Sequence, residues 1–475
     1  MAKKESFTNY KNMVQAVNNF SDEKQETEIT AEKNSFNQKK IWKKLLWIAT
    51  GFLVLIIIVG LCVCYILPLQ ILPHDDLQVQ GYPKENALLT EGQVQDDAKQ
   101  VVGFLEEVHP AFLQKPTEKY LDAKNKYLAE ANRKMEVSDF SVITNRYLSS
   151  LNDGHTHIFP NSVRLLSVHW EYKNGSLIVG SGCDLPENAK VVSIGGIPIS
   201  DILKQVSSQF PAENEAAQAN NYECFSRYRS VLSSAGVPDG GSVEIAAESD
   251  GTQITKSIGF QKPVDGSGET KSIESRQQNG AFVVTMTSCE VDKDLDETVQ
   301  KLKNALDKGT RKVIIDVRGN GGGNSTACED LLHAMSMCYG EYGSTTRYSA
   351  PASQQRGYLR ISGSYTVVRN NTSVRNDKVR LYVLTDAGTF SSATMLGVWV
   401  QDGHLGKVVG QPSANAPSCY GDIIEFQLNN SKLLGSVSHK IWLRPDASAN
   451  QNELVPDIPV PDGQDALETA LDKLP

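Results

Sequence analysis

Three places in the chain carry residue types that could do chemistry. The first is Ser391. A buried run, Leu381-Tyr-Val-Leu384, gives way to Thr385-Asp-Ala-Gly-Thr-Phe-Ser391-Ser-Ala393, and Met395, Leu396, Val398 and Trp399 then predict a helix. A hydroxyl at a helix N-terminus meets free N–H groups and the positive end of the dipole. That setting, with an adjacent base, is what a serine nucleophile needs. The plain alternative is an N-cap serine without chemistry. The second place is His155, in Leu151-Asn-Asp-Gly-His-Thr-His-Ile-Phe159. A histidine beside Asp-Gly in a turn is exposed, and its ordinary pKa suits base work near neutrality. His157 follows two residues later, on the same face if the segment is a strand. The pair could ligate zinc, although no clear third ligand accompanies it. The third place is Gly319 to Gly323, where glycines let backbone N–H groups point into open space and could hold an anion or oxyanion. A phosphate loop is disfavoured, because Gly322-Gly323-Asn324 lacks the Gly-Lys-Ser/Thr that a Walker A loop uses.

These residues need elements to position them. Val313, Ile314, Ile315 and Val317 predict a buried strand ahead of the glycine turn. A helix is expected after it, with Asn324 as its N-cap and Ala327, Leu331, Leu332 and Met335 as its apolar face. Phe282 to Met286, Leu381 to Leu384 and Lys407 to Gly410 predict further strands, with a helix marked by Leu295, Val299, Leu302 and Leu306. Such strand–helix alternation implies a largely parallel sheet, whose strand C-termini converge on one side. Upstream, Val101 to Val108 predict a helix stopped by Pro110. Thr117 is expected to cap a helix carrying Leu121 and Leu128. Ser138 is expected to cap another carrying Phe140, Ile143, Tyr147 and Leu148. Between lies a β-rich stretch. It has strands at Ser176–Val179 and Lys190–Ile194, a turn at Gly195-Gly196, a helix from Ser200 and a hairpin across Asp250-Gly251. The polar residues 210–222 look like an insertion.

The chain has 475 residues, with 40% hydrophobic and 22% charged, an ordinary globular composition long enough for two to three domains. Its net charge of -9 argues against a nucleic-acid partner. Residues 1–44 are polar and read as a disordered cytoplasmic tail. Leu45 to Leu69 carry no charge and are long enough to span a bilayer. Lys39, Lys40, Lys43 and Lys44 precede them, so the positive-inside rule puts the remainder of the chain outside the cell membrane. A cleaved signal peptide is the rival reading. Disulfides are permitted there, but the six cysteines beyond the apolar run allow fifteen pairings.

Leu151-Asn-Asp-Gly-His-Thr, Ile315-Asp-Val-Arg-Gly-Asn-Gly-Gly-Gly and Thr389-Phe-Ser-Ser-Ala, in that order, resemble three motifs of the tail-specific, or C-terminal processing, serine peptidases. Leu454-Val-Pro-Asp-Ile-Pro459 resembles the family's closing segment. The resemblance spans about residues 95–470. It implies an α/β core of the crotonase-like or Clp-protease-like βαβ kind, with Ser391 as nucleophile. It also implies an oxyanion hole from N–H groups of Gly321 or Gly322 and of Ser392. One branch of the family places a lysine base downstream of the serine, in a region that here reads Pro412-Ser-Ala-Asn-Ala-Pro-Ser418. The histidine motif resembles the tricorn-core branch instead, which makes His155 the base and Glu453 the orienting carboxylate, with Asn450 and Gln451 as other occupants of that column. Lys190-Val-Val-Ser-Ile-Gly-Gly-Ile-Pro-Ile199 resembles the second half of a PDZ-like module without its carboxylate-binding loop.

The expected organisation is a tail (1–44), a transmembrane helix (45–69), a linker (70–93), a helical lead-in (94–150), a degenerate PDZ-like module (151–262) and the peptidase core (275–475). The expected function is a membrane-anchored serine endopeptidase cutting extracytoplasmic polypeptides through an acyl-enzyme, with no metal and no cofactor. The alternatives are a catalytically inactive binding ectodomain on the same fold and a zinc hydrolase using His155 and His157.

Overall fold

The computed structural model describes residues 40–63, 65, 67, 69–84, 86–159, 164–261, 271–461 and 463–473, with isolated positions before 40. It divides into two compact units, Met1–Leu69 and Gln70–Pro475. In the first, Lys40–Val63 form one helix with a mean hydropathy of 2.8, long and apolar enough to cross a membrane. Of the tail expected to be disordered, the described positions are helical, and the rest lies outside the described residues.

The second unit opens with helices Glu91–Val108, Glu118–Glu130 and Val137–Leu148. Thr90 and Gln93 form a reciprocal capping box on the first, and Val94, Ala98, Val101, Leu105 and Val108 make its buried face. Thr117 caps the second as expected, its side chain accepting from Tyr120 N–H. Its buried face, however, is Tyr120 and Tyr127, while Leu121 and Leu128 are exposed. Hydroxyl bonds explain the choice: Tyr120 to Tyr147 at 2.6 Å and Tyr127 to Thr144 at 3.0 Å. Ser138 is not the cap of the third helix, which starts at Val137 after Glu136 with no side-chain cap. The helices share one core with Ile424, Phe426, Leu433 and Val437 of a C-terminal hairpin.

The β-rich stretch forms an antiparallel sheet in the order Leu165–Leu166, Thr252–Gln261, Ser242–Ser249, Lys190–Ile194, Ser176–Val179, Trp170–Lys173, with Ile197–Pro198 beside Lys190–Ile194. The Asp250-Gly251 hairpin is present, with φ of 51° and 74° at the two turn residues. Helices Ile199–Gln209 and Glu215–Phe225 follow the Gly195-Gly196 turn, so the presumed insertion at 210–222 is largely helical.

The expected parallel sheet runs Ile273–Gln278, Ala281–Met286, Lys312–Asp316, Arg380–Thr385, Lys407–Gly410, Ile458–Pro459, and only its first pairing is antiparallel. Helices Lys293–Asp307, Thr326–Ala334 and Ser392–Asp402 contribute Leu302, Leu331 and Leu396 to the core on one face. A second sheet was not expected. It is antiparallel, in the order Ser364–Val367, Gly343–Arg347, Leu434–Leu443, Cys419–Gln427. Its strand Leu434–Leu443 also takes His157–Ile158 as a partner, pairing Ser436 with His157 and Gly435 with Ile158.

Two neighbouring parallel strands set up the site. Asp316 lies opposite Leu384, so the glycine turn and the turn leading to Ser391 leave the sheet side by side. Asp386 accepts from Gly319 N–H at 2.8 Å and Gly388 N–H at 2.9 Å, and Thr389 Oγ1 donates to the Val317 carbonyl at 2.9 Å. Arriving on the second sheet, His157 carries the histidine turn toward them.

Candidate active site

Ser391 immediately precedes the helix Ser392–Asp402 with φ 52° and ψ -125°. A non-glycine residue there is strained, and such strain persists only where surrounding bonds hold it. Its N–H donates to Asn415 Oδ1 at 3.0 Å, and Phe390 N–H donates to the Asn320 carbonyl at 2.9 Å. The next turn of backbone approaches closely. A Cβ on Gly322, whose φ is 101°, would lie 2.5 Å from Ser391 Cβ. Fully buried Asn320 shapes that turn, donating to the Met286 carbonyl at 2.8 Å and accepting from Gly322 N–H at 2.8 Å. Gly322 N–H is thus already committed, which removes it from the expected oxyanion donors. Among the described residues, no hydrogen bond is assigned to the N–H of Gly321 or of Ser392, the first residue of its helix. Asn324 caps the following helix one residue early: the formal N-cap is Ser325, but Asn324 Oδ1 accepts from Thr326 N–H at 3.0 Å.

Gly321, Ser391, Ser392 and His155 line one cavity of about 650 Å³. The His155 ring lies 4.6 Å from the Phe390 ring, centroid to centroid, and among the described residues neither buried ring nitrogen has a partner at full hydrogen-bond geometry. Burial pushes the imidazole below its usual pKa, against the charges of Asp153 and Asp422 and the nearby Tyr420 carbonyl. A half-buried imidazole held neutral, with its ring nitrogens shielded from water, is available to take a proton.

Asp153 was not singled out from the sequence. Its Oδ1 lies 3.8 Å from His155 Nδ1 and accepts from His155 N–H at 2.9 Å. Its Oδ2 contacts His109 Nε2 at 3.2 Å and Thr156 Oγ1 at 2.5 Å. Because His109 Nδ1 accepts from Ala111 N–H, the proton of a neutral His109 sits on Nε2 and points at Asp153. Burial pushes the Asp153 carboxyl up, but His109, His155 and Thr156 outweigh it and hold the group well below the usual carboxylate range. Glu453 corrects the expectation for the orienting acid. It is half-buried, its N–H donates to Asn450 Oδ1 at 3.2 Å, and it does not line the cavity. Gln451 accepts from Ser418 Oγ at 2.7 Å, and Arg444 fixes the Asn450 carbonyl at 2.7 Å, so this segment is turned toward other partners.

The shared face expected for His155 and His157 is also corrected. The strand begins at His157, and His155 still belongs to the turn before it. His157 lines a separate cavity of about 370 Å³ together with Phe390 and Gly154, and burial pushes it down to about 4. The donors that do come together are Asp153, His155 and Glu213, within 4.8 Å of one another. Glu213 lies in the polar stretch read as an insertion.

A lysine does reach the cavity. Lys440 Nζ lies 2.5 Å from Asp422 Oδ2, with Arg356 on the other carboxylate oxygen at 3.1 Å. Burial pulls Lys440 down, but Asp422 outweighs it and holds the ammonium above its usual range, so this lysine is a cation rather than a base.

Residues 281–460 match the model of peptidase family S41. No curated protein sequence matches the chain. Among solved structures, mature CPAF superposes with a TM-score of 0.56 at 12% identity, covering 80% of this chain and 94% of that one. Mature CPAF complexed with lactacystin gives 0.55 at 12%, covering 80% and 97%. The photosystem II D1 C-terminal processing protease gives 0.42 at 13%, covering 77% and 93%. The CPAF superpositions describe a shared fold, and the family match falls on the sheet that carries the glycine turn and Ser391. The match of residues 281–460 to peptidase family S41 supports a serine-type peptidase.

Proposed function

We propose that the chain is a membrane-anchored serine endopeptidase that cuts extracytoplasmic polypeptides, with Ser391 as nucleophile and His155 as base. One observation carries the assignment: a serine held at positive φ on a strand-to-helix elbow shares a cavity with a half-buried histidine whose ring nitrogens are both shielded from solvent and, among the described residues, unpartnered. Ser391 Oγ attacks the scissile carbonyl as His155 takes its proton. Asp153, 3.8 Å from the ring, offsets the imidazolium charge. The N–H groups of Gly321 and Ser392 receive the oxyanion. His155 then returns the proton to the leaving amine, and water enters by the same route to release the acyl group.

The proposed organisation is a crotonase-like core over 275–475, a PDZ-like module over 151–262 and a helical lead-in over 94–150. The antiparallel sheet and the helix Ile199–Gln209 support the module reading. For the anchor, the support is the helix Lys40–Val63 and the lysines at its start. Full-length protein is expected to stay with membranes after an alkaline carbonate wash. Release into the supernatant would remove the anchor from the proposal.

The site is tested by a fluorophosphonate probe followed by peptide mapping. The adduct is expected on Ser391. An adduct elsewhere, or none on folded protein, would sink the assignment. Gly322 offers a second check. A Cβ there meets Ser391 Cβ at 2.5 Å, and the Phe390 carbonyl and Ser392 N at 3.1 Å. Gly322→Ala is expected to displace the elbow and slow turnover by about 100-fold, as ångström-scale misplacement does. Wild-type turnover in that variant would mean the approach has no catalytic role.

A further inference from the structure

We infer that Glu213 is a positioning residue: its ionised carboxylate latches the His155 turn to the Ser391 elbow through Gly154 and Asn415. Glu213 Oε1 accepts from Gly154 N–H at 3.0 Å. Its Oε2 accepts from Asn415 Nδ2 at 2.7 Å and Ala416 N–H at 2.9 Å. Asn415 then uses its Oδ1 to hold Ser391 N–H at 3.0 Å. One carboxylate thus reaches the residue before the base and, through one amide, the backbone of the nucleophile. Each end is tight. A Cβ on Gly154 would meet the Phe390 ring at 3.0 Å and Glu213 Oε1 at 3.3 Å.

The latch is itself anchored. The adjacent Asn214 caps the helix Glu215–Phe225, accepting from Ala217 N–H at 2.8 Å. Its Nδ2 donates to the carbonyls of Ser413 at 3.0 Å and Asn452 at 3.1 Å. Glu213 is therefore clamped between the β-rich module and the loop that precedes Cys419.

The arrangement selects a protonation state. Three N–H donors converge on two oxygens, and an ionised carboxylate offers only acceptors. Protonation places a donor among donors and loosens one arm. Burial and the negative charge of Asp153 push Glu213 up to about 7, against the three hydrogen bonds that favour the ionised form. The titratable groups around it are Asp153, His155 and the half-buried Cys419 thiol. The latch closes as pH rises through about 7 and opens below it.

This inference rests on the assignment of Ser391 and His155. The test is the fluorophosphonate labelling rate of full-length protein as a function of pH, for wild type, Glu213→Gln, Asn415→Ala and Ser391→Ala. The wild-type rate is expected to fall as pH drops through about 7. Glu213→Gln and Asn415→Ala are expected to label about 10- to 100-fold more slowly. Glu213→Gln should also lose that limb and keep only one below 6.5, where His155 titrates. A merely structural glutamate would lower thermal stability and leave the limb in place. If Glu213→Gln does not fold, Asn415→Ala decides. A Ser391-dependent label whose rate and limb ignore the folded variants overturns the latch alone. Unlabelled, folded wild type, or full labelling of Ser391→Ala, overturns the site and the latch with it.

Discussion

Ser391→Ala is expected to remove hydrolysis of a polypeptide substrate almost completely, by about 10⁴- to 10⁶-fold in kcat. The size follows from the chemistry. Without the hydroxyl no acyl-enzyme forms, and water would have to attack across a site built around Oγ. Stability should barely move, by about 0.5 kcal/mol or less. Alanine keeps the Cβ, so the positive-φ cost at 52° is the same before and after. The N–H to Asn415 is also retained. Initial rates and thermal unfolding measured together check both halves. Residual activity of several percent in folded variant protein would place the nucleophile elsewhere.

His155→Ala is expected to cost nearly as much, roughly 10⁴-fold or more, because nucleophile and base act as one unit. A double variant with Ser391→Ala should then be no slower than the worse single variant. Additive losses would show that the two residues do not cooperate. This variant also carries a stability signature. Burial holds His155 below its ordinary 6.5 in the folded state, so the unfolded chain binds its proton first. Folded-state stability from the neutral ring is therefore present above about 6.5 and lost as pH falls through the folded value. Removing the ring should make unfolding less acid-sensitive over that window. His157 and His439, each pushed down to about 4 by burial, keep part of the sensitivity.

Much of this site was legible because its residues sit at strand ends with local signatures. A buried run ending in Thr-Phe-Ser-Ser, an Asp-Gly-His turn and a run of glycines each reveal their backbone through their own neighbours. Glu213 has no such signature. It stands in an aperiodic polar stretch, 59 positions from Gly154 and 202 from Asn415, and only tertiary packing brings them together. The hairpin Cys419–Gln427 with Leu434–Leu443 was missed for a related reason. Its second strand is buried on both faces, with Ser436 and Ser438 on one and His439 on the other, all fully buried, so apolar alternation fails there. Two of these side chains have partners: Ser436 Oγ donates to the His155 carbonyl at 2.7 Å, and His439 Nε2 meets the Tyr358 hydroxyl at 3.0 Å. Glu453 followed from its register against the glutamate of the tricorn-core branch, and a register shared with Asn450 and Gln451 does not determine where a loop turns. Asp153, two residues before the histidine, needed no long-range guess, but nothing in the sequence distinguished it from a turn former.

The conformation of Ser391 also bears on which nucleophiles this scaffold can host. At φ 52°, with the Gly322 backbone against its Cβ, the position tolerates one heavy atom beyond Cβ and penalises a second. Cysteine satisfies that condition and threonine does not. The elbow thus discriminates by branching rather than by acidity. Its chemistry is open to sulfur and closed to a secondary alcohol, so a move from ester to thioester intermediates lies one substitution away, while a threonine hydrolase would need a different backbone.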